Sequence, residues 1–189
     1  MHRALLVANP SASGFTGSRY RAVSATLRQS YELETIWPES PEGSRKAAAA
    51  AAESGLDVVF AMGGDGVVHH VASGLIHTQT ALGVIPAGTT NVLSRILGIP
   101  GRADKAAAAV VDSSPRFLPT ARLIWSDGGE EHHRHALFSL GLGFDADVVV
   151  KAERRPYAKV RFGSLHYATT TVGTVVGDYR KKPASISPL

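Results

Sequence analysis

Three short apolar runs, each broken off by a turn-forming cluster, constrain this chain more than any other feature. Ala4–Asn9 runs into Pro10, Asp57–Met62 into Gly63-Gly64-Asp65-Gly66, and Ala81–Pro86 into Ala87-Gly88-Thr89-Thr90. Apolar runs of this length bounded by Gly and Pro predict buried strands that end in turns. The stretches between them read as helices. Arg19–Ser30 carries Val23, Ala25 and Leu27 between polar residues, Ser44 caps a segment through Ala47–Ala52 to about Gly55, and Val67–Ile76 follows the third turn. The alanine run is helix-forming by its nature, since alanine loses least on entering a helix. Glu32–Trp37 alternates as a fourth strand, Asn91–Leu97 is a short helix stopped by Gly98 and Pro100, and Asp104 caps a helix to Asp112. Strands alternating with helices predict an α/β fold, a parallel sheet covered by helices.

The alternation stops near residues 115–120. Beyond it Thr120–Trp125, the turn Asp127-Gly128-Gly129 and Glu131–Leu140 read as an antiparallel hairpin and a further strand. A domain boundary is therefore expected at about 115–120. Gly141–Gly143 reads as a turn, and Asp145–Ala152 and Gly163–Tyr179 as helices.

Composition narrows the function classes. The chain has 189 residues, of which 44% are apolar and 19% charged, so it can bury a core. It has no cysteine, which excludes disulfides, thiolate metal sites and a thiol nucleophile. No stretch reaches a membrane span, and the apolar run after Met1-His2-Arg3 is short for a secretory signal, so a cytoplasmic protein is expected. The net charge of +4 is unevenly placed: residues 151–182 hold eight Lys or Arg against Glu153 and Asp178, while residues 1–150 carry a net −2. A basic segment of this kind suits an anionic membrane surface or a solvated helix face. Trp37, Trp125 and the scattered Tyr and Phe form no stacking array for nucleic acid.

The chemistry sits in the loops after the strands. Gly63-Gly64-Asp65-Gly66 joins a strand to a helix, where glycines let the main chain approach a phosphate and the helix start offers free N–H groups. Asp65 repels polyphosphate unless Mg²⁺ intervenes or local donors hold its carboxylate. Pro86-Ala87-Gly88-Thr89-Thr90-Asn91 brings two hydroxyls and an amide to a second helix start, and Asn9-Pro10-Ser11-Ala12-Ser13-Gly14 forms a third loop. Three polar, glycine-bearing loops at one sheet edge argue for a nucleotide site. Gly141–Ala146 also fits a dinucleotide fingerprint, but no acidic residue follows about 20 positions on and no βαβ unit surrounds it. His132, His133 and His135 could bind a metal, but adjacent histidines on a hairpin face opposite sides, which favours a solvated hairpin.

Taken in order, these residues resemble the diacylglycerol kinase catalytic-domain family, which includes bacterial lipid kinases and the sphingosine and ceramide kinases. The resemblance rests on Asn9-Pro10…Gly14, Gly63–Gly66, and Pro86-Ala87-Gly88-Thr89-Thr90-Asn91 with Arg95, and covers residues 4 to about 183. Phe138–Ala146 and the stretch around Arg154-Arg155 look like its actinobacterial branch. The resemblance implies a nucleotide-binding catalytic domain over 1–117 followed by the opening part of a β-rich second domain over 118–189. It implies ATP and Mg²⁺ as cofactors and transfer of the γ-phosphoryl group to the hydroxyl of a diacylglycerol-like lipid. It further implies a place in phospholipid metabolism and peripheral attachment to the inner membrane face. It assigns nucleotide binding to Asn9, Ser40, Gly63, Gly64, Asp65, Gly66, Val67, Thr89 and Asn91, and it assigns no metal ligand.

Three departures stand out. Val67 replaces the family's Thr, His70 replaces its Glu, and the family's general base falls beyond residue 189, so the chain reads as C-terminally incomplete. Two alternatives follow: a degenerate, non-catalytic nucleotide-binding homologue, and an NAD kinase-like enzyme, which shares Gly-Gly-Asp-Gly but not the Asn-Pro loop.

Overall fold

The three apolar runs and the alternating segment become the strands of a wholly parallel sheet in the computed structural model. They are β1 (His2–Ala8), β2 (Tyr31–Ile36), β3 (Val58–Gly63) and β4 (Ala81–Pro86), in the order β2-β1-β3-β4. The structure describes residues 2–140 together with 146, 147 and 150. Residues 1–138 make one compact unit and 139–189 a second. The expected turn at Gly141–Gly143, the fingerprint at Gly141–Ala146, the two later helices and the basic segment 151–182 lie outside the described residues.

Alternation along β1 sorts its side chains onto two faces. Ala4, Leu6 and Ala8 join a core with Val23 and Leu27 of α1 (Gly17–Leu27) and Ala103, Ala106 and Ala107 of α5 (Ala103–Val111). Leu5 and Val7 join a second core on the other face. There they meet Ala48 and Ala51 of α2 (Pro41–Glu53), Val68, Val71 and Leu75 of α3 (Asp65–Leu75), and Leu93 of α4 (Val92–Ile96). Helices thus cover both faces, as a parallel sheet requires. The alanine run serves this packing. Ala48 and Ala51 are buried, and a side chain on Gly74 would run into the Arg45 carbonyl oxygen, so α2 and α3 approach to backbone distance.

Helix starts are where expectation and structure part. α2 is capped by Ser40, whose hydroxyl accepts from the Gly43 N–H at 3.0 Å, and not by Ser44. Pro41 explains the shift, because its ring presets the first helical residue and needs no donor there. Ser44 instead lies buried in the first turn and donates to the Ser40 carbonyl. Thr16 caps α1, which starts at Gly17, two residues before the expected Arg19. Asp104 sits inside the first turn of α5, paired with Arg102 at 2.9 Å, and does not cap it. α3 begins at Asp65, not Val67, which shortens the turn before it.

The hairpin forms as expected. β5 (Ala121–Asp127) and β6 (Glu130–Ala136) pair antiparallel around Gly128 and Gly129, at φ of 59° and 89°. Two successive positive φ values are what a two-residue hairpin turn demands. Among the described residues, no helix is long and apolar enough to cross a membrane.

Candidate functional site: three loops joined at one sheet edge

All four strands are parallel, so the loops that follow them share one edge of the sheet. The turn after β3 is the tightest. β3 runs through Gly63, and Gly64 alone separates it from Asp65, the first residue of α3. Asp65 and Gly66 are therefore helical first-turn residues. Gly64 has an extended backbone and no side chain to cap the helix, so the first-turn N–H groups keep no intrahelical partner. The dipole of α3 places partial positive charge at the same point. Val67 turns back over Gly63: a Cβ on Gly63 would lie 2.7 Å from Val67 Cγ2.

The loop after β4 locks onto this turn. A Cβ on Gly88 would stand 2.5 Å from Gly64 Cα, so the two glycines touch main chain to main chain. The Ala87 N–H donates to the Gly63 carbonyl at 2.8 Å. Asn91 holds Gly88 by both peptide groups, accepting from its N–H at 2.9 Å and donating to its carbonyl at 2.8 Å. Asn91 adopts a left-handed conformation, φ 47°, which asparagine tolerates better than most residues. Its amide is thereby committed to shaping the loop.

The loop after β1 closes against the same group. The Asn9 N–H extends the ladder to the Met62 carbonyl at 3.0 Å, while its Oδ1 accepts from the Ser11 N–H at 2.9 Å. The Gly14 N–H donates to the Ala87 carbonyl at 2.8 Å, and the Ser13 and Thr89 hydroxyls share a hydrogen bond of 2.9 Å. Asn9, Gly63, Gly64, Asp65, Gly66, Val67, Thr89 and Asn91 thus belong to one connected rim. Ser40 does not join it: it follows the edge strand β2, and its hydroxyl is engaged at the start of α2. Ser13 lies in the third loop, but its partner cannot be read from sequence, since a pairing across 76 positions leaves no local signal.

Two histidines follow the turn on α3. Burial is the first cause that holds His69 below its ordinary 6.5, helped by His70 and Arg134. Burial, then Arg134 and Arg45, does the same to His70 against the opposing pull of Glu42. A histidine with a lowered folded pKa binds fewer protons folded than unfolded. Its contribution is intact above about pH 6.5 and is lost as pH falls through the folded value. The thermal midpoint should therefore drop between about pH 7 and pH 5. Replacing both, His69→Gln with His70→Gln, should flatten that slope in a melting series, and an unchanged slope would assign it elsewhere. Among the described residues no cluster of three His, Asp or Glu could hold a metal ion.

The family profile described as diacylglycerol kinase catalytic domain matches residues 3–123. The chain belongs to this family. It is 38% identical over 122 residues to a diacylglycerol kinase of Mycobacterium tuberculosis (strain ATCC 25618 / H37Rv), covering 63% of this chain and 38% of that protein. It is 37% identical over 122 residues to a diacylglycerol kinase of Bacillus subtilis (strain 168), covering 61% and 40%. A protein of Streptococcus pneumoniae serotype 4 whose name places it among the lipid kinases is 28% identical over 182 residues, covering 94% of this chain and 58% of the other. A crystal structure described as a diacylglycerol kinase from Bacillus anthracis str. Sterne superposes with a TM-score of 0.57. Its identity is 20%, over 72% of this chain and 61% of the other, a likeness of fold alone. The matches to the two diacylglycerol kinases thus span about two fifths of those proteins.

Proposed function

We propose that this chain is the nucleotide-binding part of an ATP-dependent lipid kinase that phosphorylates the hydroxyl of a diacylglycerol-like lipid in phospholipid metabolism. The observation that carries the reading is the Gly64–Gly88 contact. It sets two loops, each leading to a helix start, side by side with no side chain between them. That leaves main-chain room for phosphate groups at the N-terminus of α3. Residues 1–117 would form the nucleotide domain and 118–189 the start of the lipid-facing domain. The protein would act peripherally at the inner membrane face, with its basic segment 151–182 toward anionic lipid.

In this reading the first-turn N–H groups of α3 hold the phosphates. Thr89, exposed and within reach of Ser13, adds a hydroxyl. Asn9 and Asn91 shape the flanking loops, and Ser40 marks the ribose or base side. Asp65 is the one carboxylate at the turn. A single carboxylate suits Mg²⁺, which binds through one or two protein carboxylates together with substrate phosphates. When bound, Mg²⁺ neutralises charge on the transferring group. In the transfer the lipid oxygen forms a bond to the γ-phosphorus. The bond to the β–γ bridging oxygen breaks, ADP leaves, and the hydroxyl proton passes to a base. None of the described residues is assigned that role.

Val67 favours a second reading, a nucleotide-binding homologue without transfer. A methyl group faces Gly63 where the family has a hydroxyl-bearing residue. One assay separates the two. The full-length gene product, given γ-labelled ATP and vesicles containing diacylglycerol, should label the lipid. Absence of label on any lipid alcohol, with ATP still bound, would replace the kinase reading by the second.

A further inference from the structure

Phe15, Tyr20 and Trp37 gather at the same edge of the sheet, on its α1 side, and the phosphate turn makes no use of them. Trp37 directly follows β2. The ring of Phe15 meets Trp37 edge-on, with centroids 5.7 Å apart at 88°. The ring of Tyr20 lies 4.7 Å from Trp37 at 59°, and its hydroxyl reaches Thr35 Oγ1 at 3.4 Å. Phe15 and Tyr20 are half-buried against the core shared by α1 and α5. Trp37 keeps 43% of its surface exposed.

We propose that Trp37, backed by Phe15 and Tyr20, is the platform on which the base of the bound nucleotide stacks. This rests on the nucleotide reading given above and extends it to the far end of the ligand. The first argument is placement. Gly64 touches Gly88, the neighbouring Ala87 accepts from Gly14, and Phe15, next in the chain, touches Trp37. Trp37 is thus held in fixed relation to the phosphate turn through a chain of direct contacts. The second argument is span. β3 and β2 flank β1, so their ends stand two strand spacings apart, roughly 10 Å. An extended nucleoside triphosphate separates its base from its terminal phosphates by a distance of this order.

The third argument is chemistry. A base offers a flat π face and needs an apolar ring that is rigid before it arrives. An exposed indole with two supporting rings provides one, and a stack of this kind adds affinity without reading the base edge. The phosphates are then recognised by main chain in the turns after β3 and β4, and the base by side chains beyond β1 and β2.

Isothermal titration of the full-length protein with ATP and with inorganic tripolyphosphate tests the division. Trp37→Ala should weaken ATP about tenfold and leave tripolyphosphate unchanged. Trp37→Phe, which keeps a ring, should stay within a few-fold of the unaltered protein. In a Trp125→Phe variant of the 189-residue chain, which leaves Trp37 as its one indole, the fluorescence should change on adding ATP and not on adding tripolyphosphate. Equal ATP affinity in Trp37→Ala would overturn the platform and leave the nucleotide reading standing. Equal losses for both ligands would overturn it in favour of a purely structural tryptophan. An unaltered protein that binds neither ligand would remove the nucleotide reading and the platform with it.

Discussion

Gly88→Ala is expected to cost at least tenfold in ATP affinity and about a hundredfold in phosphoryl transfer. The added methyl would sit 2.5 Å from Gly64 Cα and 2.9 Å from Asn91 Oδ1. The first of these neighbours is backbone and cannot turn aside. Asn91 cannot yield either without releasing Gly88, which it grips through both peptide groups. The loop after β4 must therefore move away from the turn after β3. A displacement near 1 Å at reacting groups is enough for a loss of this size. Overpacking costs about 1–3 kcal/mol of stability, so the fold should survive with a lowered melting point. Titration with ATP beside a thermal melt checks both halves. A folded Gly88→Ala protein with unchanged affinity would show that the contact does not shape the site.

Phe60→Ala should be the most damaging single truncation in the described core, at about 3–5 kcal/mol. Phe60 is 1% exposed at the centre of the sheet. Its ring lies directly over Gly83 of β4, where any side chain would collide with it, and meets Tyr31 of β2 edge-on at 5.2 Å. One side chain thus spans three strands. Its loss leaves a hole that neither Gly83 nor the hydrogen-bonded strand ends can fill. Against a total stability of about 5–15 kcal/mol, the variant should lose a large share of its stability and unfold at clearly lower denaturant. Urea unfolding measures it directly. A loss under about 1 kcal/mol would mean that the two sheet faces rearrange around the gap.

Much of this architecture was legible in the sequence because strand ends carry strong local punctuation. Asn9-Pro10, Gly63-Gly64, Pro86 and Gly128-Gly129 each announce a change of direction, and each turn forms there. Helix starts were harder, since several residues compete to cap. Ser40 and Ser44 are chemically equal candidates, and Pro41 decides between them only when its position in the first turn is known. Asp65-Gly66 reads as loop because glycine is a poor helix former, yet both residues are held in α3 by the packing of Val68 and Val71. The glycines that matter for packing gave no signal either. Gly74 beside Arg45 and Gly83 under Phe60 resemble weak points in a helix and a strand until their neighbours across the fold are known. Within the candidate site the loops were evident, but their bonding to one another was not. Ser13 with Thr89, Gly14 with Ala87 and Gly64 with Gly88 are encounters between distant segments, and only the sheet order brings them together.

The mutual bonding of these loops has a mechanical consequence. The segments after β1, β3 and β4 cannot swing separately, since each is anchored to another by main-chain bonds or by direct main-chain contact. They behave as one fixed jaw. In the proposed reading, a nucleotide would find its seat already formed and spend little on ordering it. In that reading, any closing motion of a catalytic cycle would have to come from outside these three loops.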